Sequence, residues 1–314
     1  GLAVIDEQHR FGVAQRMMLT AKAERPPHLL VMTATPIPRT LTLTQYGEMD
    51  VSRLDEMPPG RQPIKTSLMN AERIGEVVDG LGRHIAAGKQ AYWVCPLVEE
   101  SEKSDLAAAE ERARLLQMRF GQEVGLIHGR MAGPEKDAVR AAFQRGELTV
   151  LVATGVSEVG VDVPNATLIV IEHADRVGLA QLHQLRGRVG RGSGQSFCIL
   201  LYGSADAGPG GNALSETSRA RLALMRETND GFRIAEEDLR LRGGGEILGT
   251  RQSGEAQFRL ATPELVQELV PAATDDARLL VDRDGGLEGE RGKAARLLLY
   301  LMERDAAVAT LRSG

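Results

Sequence analysis

Three long polar side chains at helical spacing, Gln184, Arg188 and Arg191, lie in the stretch QLHQLRGRVGRG at residues 181 to 192. Read as a helix, the stretch stacks them on one face one turn apart, because positions three and four residues apart are neighbours there. Planar guanidinium forks that keep their charge suit phosphate oxygens. Gly187 and Gly190 each cost a helix interior about 1 kcal/mol against alanine, so their presence predicts the close approach of something bulky. Leu182, Leu185 and Val189 form a second, apolar face, which predicts that the arginine face is anchored in a core. Without such an anchor the same pattern describes a solvated basic face.

A second group with chemical potential is acidic. The apolar run LAVI at 2 to 5 is followed by Asp6, Glu7, Gln8 and His9, and LLVM at 29 to 32 by Thr33 and Thr35. Both runs predict buried parallel strands whose carboxyl ends deliver polar residues to a ligand edge. Of two carboxylates placed so, one can hold Mg²⁺ near phosphate and the other can orient or deprotonate a water. The same pair also serves as a helix N-cap. The run TVLVA ends in Thr154, Gly155, Glu158, Gly160 and Asp162, and GLIH ends in His128 and Gly129. These are further candidates for sugar or phosphate contact, or for a tight turn with its cap.

The elements that must hold these groups alternate. After MPPGRQP, residues 57 to 63, a predicted linker, helical periodicity at 72 to 87 closes at Gly88 and precedes the strand AYWVCPL. A helix at about 105 to 120 closes at Gly121 before EVGLIH. Another from Pro134 to Arg145 closes at Gly146 before TVLVA. TLIVI, the arginine-bearing segment and SFCILLY complete the series. Such alternation predicts a parallel sheet with helices on both faces.

Composition agrees with a globular chain of 314 residues and room for two domains: 42% hydrophobic, 26% charged, net charge -5. No apolar run reaches the length of a membrane span. Charge is uneven. Residues 176 to 259 hold twelve arginines, no lysine and nine acidic residues, a local excess compatible with a phosphate backbone. Cys95 and Cys198 sit in apolar strand-like runs, which predicts inert core thiols and a reducing, cytoplasmic setting. No His/Cys spacing predicts a structural zinc.

In order along the chain, IDEQHRFG, TATPIPRT, IHGRM, VATGVSEVGVDVP and QLHQLRGRVGRG resemble motifs II, III, IVa, V and VI of the superfamily 2 helicases. Within these, DEMPPGRQPIKT, WVCPLVEESE and NDGFRIAEEDLRLRGGGEILGTRQSG are similar to the RecG family, ATP-dependent DNA helicases that remodel branched DNA. The resemblance implies an α/β chain of RecA-like parallel sheets flanked by helices. Residues 1 to 57 would be the remnant of a first lobe and 58 to 204 a complete second lobe. Residues 205 to 262 would form a translocation hairpin and loop, and 263 to 314 a C-terminal helical segment. It implies ATP and Mg²⁺ as cofactors, with Asp6 holding the metal and Glu7 activating water. Gln8 and His9 would link that site to the other lobe, and Thr33 and Thr35 would couple hydrolysis to DNA movement. Gln184, Arg188 and Arg191 would face the γ-phosphate, with both arginines as finger candidates. Thr154, Gly160 and Asp162 would touch nucleotide or DNA. In the hairpin, which also carries Arg219, Arg221 and Asp238, Arg226, Arg242, Arg251 and Gln252 would act in DNA translocation. Forks and Holliday junctions are the implied partners, with a single-stranded DNA-binding protein beside them, no membrane, and a monomeric state.

The chain departs from the family pattern in three places. Gly155 and Ser157 replace a hydroxyl-bearing and a bulky apolar residue of motif V, and Gly244 stands where a proline is expected. A phosphate-cradling GxxxxGK[ST] loop is also missing, since the only Gly-Lys pairs, 88-89 and 292-293, are followed by Gln and Ala. The resemblance thus starts at motif II, and the expectation is a C-terminal part whose chemistry needs an upstream half. The alternatives are the transcription-repair coupling factor, which shares the hairpin, and a non-catalytic DNA-binding module. Leu297, Leu298, Tyr300 and Leu301 are expected to pack back onto the body.

Overall fold

The computed structural model describes residues 1–6, 27–33, 51–96, 102–155, 159, 163–203, 214–241 and 263–301. Strands β1 (Leu2–Asp6) and β2 (His28–Met32) pair in parallel, with Asp6 opposite Met32. Ile5 is buried, whereas Leu2, Val4 and Leu30 remain 48–67% exposed.

A six-stranded parallel sheet holds β3 (Lys65–Asn70), β4 (Gln90–Val94), β5 (Val124–Ile127), β6 (Val150–Ala153), β7 (Ala166–Ile171) and β8 (Phe197–Tyr202), in the order β3-β8-β7-β4-β6-β5. Every residue of β4, β6 and β7 is buried, as expected of central strands covered on both faces. Their side chains alternate between two cores. Ala91, Trp93, Val150, Val152, Leu168 and Val170 face one way, together with Val77 and Leu81 of α1 (Ile74–Ala86) and Ala109, Ala113 and Leu116 of α2 (Glu102–Phe120). Tyr92, Val94, Leu151, Ala153, Ile169 and Ile171 face the other way. That second core takes Phe143 of α3 (Gly133–Gln144) and Leu179, Leu182 and Leu185 of α4 (Leu179–Arg186). It also takes Leu222, Leu224 and Met225 of α5 (Glu216–Glu227) and Ile234 of α6 (Gly231–Leu241). The hairpin helices α5 and α6 thus share a core with the sheet.

The predicted helix ends hold. Gly88, Gly121 and Gly146 all adopt left-handed backbone, where a helix stops at least cost in glycine. The strand β3 has no counterpart in the sequence reading. Its KTSLMN lies at the sheet edge, half-exposed, and so lacks the continuous apolar run that marks the others.

The chain divides into two compact units, the first holding β1 to β8 with α1 to α6. The second holds α7 (Pro263–Arg283) and α8 (Glu290–Leu301). Within this unit Leu297, Leu298, Tyr300 and Leu301 are 56–67% exposed. Consecutive leucines point around the whole helix, so their apolarity carried no direction; the buried residue of α8 is Gly292, set against Leu287. Among the described residues no helix is long and apolar enough to cross a membrane.

Candidate functional site

Among the described residues, the phosphate-type side chains lie at the carboxyl ends of strands and, separately, on α4 and in the loop after it, which meets the amino ends of β3 and β8. Asp6 ends β1 and Thr33 directly follows β2, so parallel pairing sets them side by side at one edge. Thr154, buried, follows β6, and His128 follows β5 with its Nδ1 buried and lacking a hydrogen-bond partner among the described residues. Glu7, Gln8, His9, Thr35, Ser157, Glu158, Gly160, Asp162, Arg242, Gly244, Arg251 and Gln252 lie outside the described residues.

The arginine stretch departs from its predicted helix. α4 ends at Arg186, Gly187 caps it, and Gly190 takes left-handed backbone (φ 78°). Gln184 therefore lies on the helix while Arg188 and Arg191 lie in the loop beyond, and the three do not form one helical stack. Position 190 has room only for glycine: a Cβ there would sit 2.9 Å from Cγ1 of Ile64, and its backbone is left-handed. The bulky group approaching the glycine is a side chain of the protein itself. The loop is nevertheless well held. Gly187 N donates to His183 O at 3.0 Å, Arg188 N to Leu185 O at 3.0 Å and Val189 N to Arg186 O at 3.2 Å, while the Val189 side chain is buried. Leu182, Leu185 and Val189 supply the buried face that their spacing predicts.

The sequence reading passed over Arg186, which is 2% exposed. Its Nη1 donates to Met225 O at 2.7 Å and Thr228 O at 2.8 Å, and its Nη2 lies 3.2 Å from Nδ1 of His183. Burial, then the Arg186 charge, pushes His183 from 6.5 down to about 4. A neutral ring follows, so its Nδ1 accepts from the guanidinium. Because the folded ring binds a proton less readily than the unfolded one, its contribution to stability is fully present above pH 6.5. It is lost as the pH falls from 6.5 towards 4, by up to about 3 kcal/mol. The urea midpoint of the wild-type chain is accordingly expected to fall more steeply from pH 7 to pH 4.5 than that of His183→Gln; equal slopes would refute this.

A second polar cluster lies at the carboxyl end of β7. Glu172, one residue past β7, accepts from Trp93 Nε1 at 2.5 Å and from Arg112 Nε at 2.6 Å, and Arg112 lies 5.6 Å from the Trp93 ring centroid. Burial disfavours charge on Arg112, yet Glu172 outweighs it and holds the guanidinium above its ordinary value. Burial likewise pushes both thiols up, Cys198 to about 12, and leaves them unreactive. In the hairpin, Arg221 Nη2 donates to Asp175 O at 3.1 Å, while Arg226 is exposed on α5.

A parallel sheet with helices on both faces and an arginine-bearing loop leaving a core helix defines a RecA-like helicase lobe. Residues 72–193 match the helicase conserved C-terminal domain. Residues 228–296 match the C-terminal part of domain 3 of the ATP-dependent DNA helicase RecG. The chain belongs to the RecG family. It is 55% identical over 279 residues to RecG of Acidithiobacillus ferridurans, covering 88% of this chain and 40% of that protein. To RecG of Escherichia coli K12 it is 50% identical, with 90% and 40% covered. The solved structure of RecG bound to a three-way DNA junction matches with a TM-score of 0.64 at 40% identity, covering 86% of this chain and 33% of that one. The chain spans about two fifths of the length of its curated relatives.

Proposed function

We propose that the chain is the C-terminal motor part of an ATP-dependent DNA translocase that remodels branched DNA, migrating Holliday junctions and regressing stalled forks. The observation that carries this is the 55% identity to a RecG protein across both the sheet and the hairpin. The match to RecG domain 3 over 228–296 favours this reading over the transcription-repair coupling factor.

In this reading ATP, bound with Mg²⁺, is the substrate, and transfer of its γ-phosphoryl group to water, with ADP leaving, drives the motor. Asp6 is an exposed carboxylate at a strand end, the hard oxygen donor that Mg²⁺ takes alongside water and phosphate. Glu7 orients the attacking water, Gln8 and His9 connect this edge to the second lobe, and Thr33 and Thr35 couple hydrolysis to DNA. Gln184, Arg188 and Arg191 meet the γ-phosphate, where arginine charge is worth most as transition-state charge develops. Thr154, Gly160 and Asp162 contact nucleotide or DNA. Arg226, Arg242, Arg251 and Gln252 act on duplex DNA. The remaining assignments are a monomeric state, a cytoplasmic location and a single-stranded DNA-binding protein as partner.

ATP hydrolysis on forked DNA tests the proposal, measured for the 314-residue chain and for a version extended to the length of the RecG relatives. Hydrolysis is expected in the extended protein alone. Activity of the shorter chain would overturn the assignment of phosphate binding to an upstream segment, and an extended protein inert on forks would overturn the motor reading.

A further inference from the structure

Arg186 is a buried cation whose partners among the described residues are oxygens and a nitrogen of neutral groups: Met225 O, Thr228 O, the Thr66 hydroxyl at 3.5 Å and His183 Nδ1. A buried charge without a carboxylate is costly. It is tolerated here because Met225 O, in the last turn of α5, lies at the negative end of the helix dipole, and Thr228 O in the turn beyond supplies a second acceptor. An apolar side chain would fill the same volume with less desolvation, so packing alone does not account for a guanidinium.

Its place in the chain is informative. Arg186 is the last residue of α4, with only Gly187 between it and Arg188, and Gly187 N is itself bonded to His183 O. Little slack separates the guanidinium from the finger loop. A second strut joins the same two regions. Ile64 seats its side chain against Gly190 in the loop, and its carbonyl accepts from Asn229 Nδ2 at 3.3 Å. Asn229 belongs to the turn 228–230 between α5 and α6. The arginine loop and the hairpin turn are thus fastened at two points, one through a guanidinium and one through Ile64.

We infer that Arg186 is a positioning residue that carries displacement of the loop 187–192 to the α5–α6 hairpin, with the Ile64–Asn229 contact as its second strut. This rests on the motor reading above. When phosphate contact shifts Arg188, the short Gly187 link moves the guanidinium, and the carbonyls of Met225 and Thr228 move with it. Lysine keeps the charge but not the planar fork that spans two carbonyls and an imidazole.

The experiment uses the extended protein and compares wild type, Arg186→Lys and Asn229→Ala for ATP hydrolysed and base pairs of fork unwound. Arg186→Lys is expected to keep hydrolysis within about twofold while base pairs unwound per ATP fall roughly tenfold, and Asn229→Ala to fall roughly threefold. Amide hydrogen exchange supplies a readout independent of turnover. A non-hydrolysable ATP analogue changes protection across 228–236 in wild type and not in Arg186→Lys. Hydrolysis and unwinding that fall in parallel, or an analogue response preserved in the variant, would overturn the inference. If Arg186→Lys does not fold, Asn229→Ala decides it by the same two measures. A wild-type protein without fork-stimulated hydrolysis would instead overturn the motor reading, and this inference with it.

Discussion

Arg188→Ala in the extended protein is expected to lower fork-stimulated ATP hydrolysis by roughly 10³ to 10⁵, the range for loss of an arginine finger in nucleotide hydrolases. The effect falls on kcat, because charge on the transferred phosphoryl oxygens develops during transfer and a guanidinium stabilises it more in the transition state than in the bound nucleotide. The fold is expected to survive. Arg188 is half-exposed, and its loop is held by Val189, by Gly190 against Ile64 and by the backbone bonds from residues 187 to 189. Steady-state kinetics with saturating fork DNA, paired with circular dichroism, check both points. A loss below tenfold with intact folding would remove Arg188 from the finger role and leave Arg191 as the candidate.

The second large effect concerns stability. Trp93→Ala is expected to destabilise the sheet unit by about 3.5–6 kcal/mol, from about 3–5 for truncating a buried large aromatic and about 0.5–1 for its contact with Arg112. Trp93 is fully buried on β4, and its ring packs in the core that holds Val77, Leu81 and Leu116. Its indole N–H donates to Glu172 and its ring lies beside Arg112, so alanine leaves a cavity and takes one donor from a partly buried carboxylate. Trp93→Phe keeps most of the volume and loses the donor, and is expected to cost about 1–2 kcal/mol. Trp93 is the only tryptophan in the chain, so urea unfolding is followed by circular dichroism. A loss below about 1.5 kcal/mol for alanine would mean that the core closes over the gap, against the close packing expected around a fully buried side chain.

Read locally, the chain declared much of this architecture. Strand and helix alternation, the helix ends at Gly88, Gly121 and Gly146, the buried face of Leu182, Leu185 and Val189, and the buried cysteines all follow from periodicity and from residue types with narrow backbone or solvation preferences. The motif series needed no coordinates either, since order and spacing along the chain carry it. Tertiary structure decided whatever depends on partners distant in sequence. Helical spacing predicted one face for Gln184, Arg188 and Arg191, but the helix ends at Arg186, and Ile64, more than a hundred residues earlier, packs against Gly190 in the loop beyond. Arg186 looked like one more arginine of a basic run, and only the carbonyls of Met225 and Thr228 show it to be buried and bound. β3 takes its place from pairing with β8 rather than from an apolar run of its own. The leucines of α8 likewise had no burial written into them. Periodicity tells which side of an element avoids water; what lies across from that side is set by the packing of the whole chain.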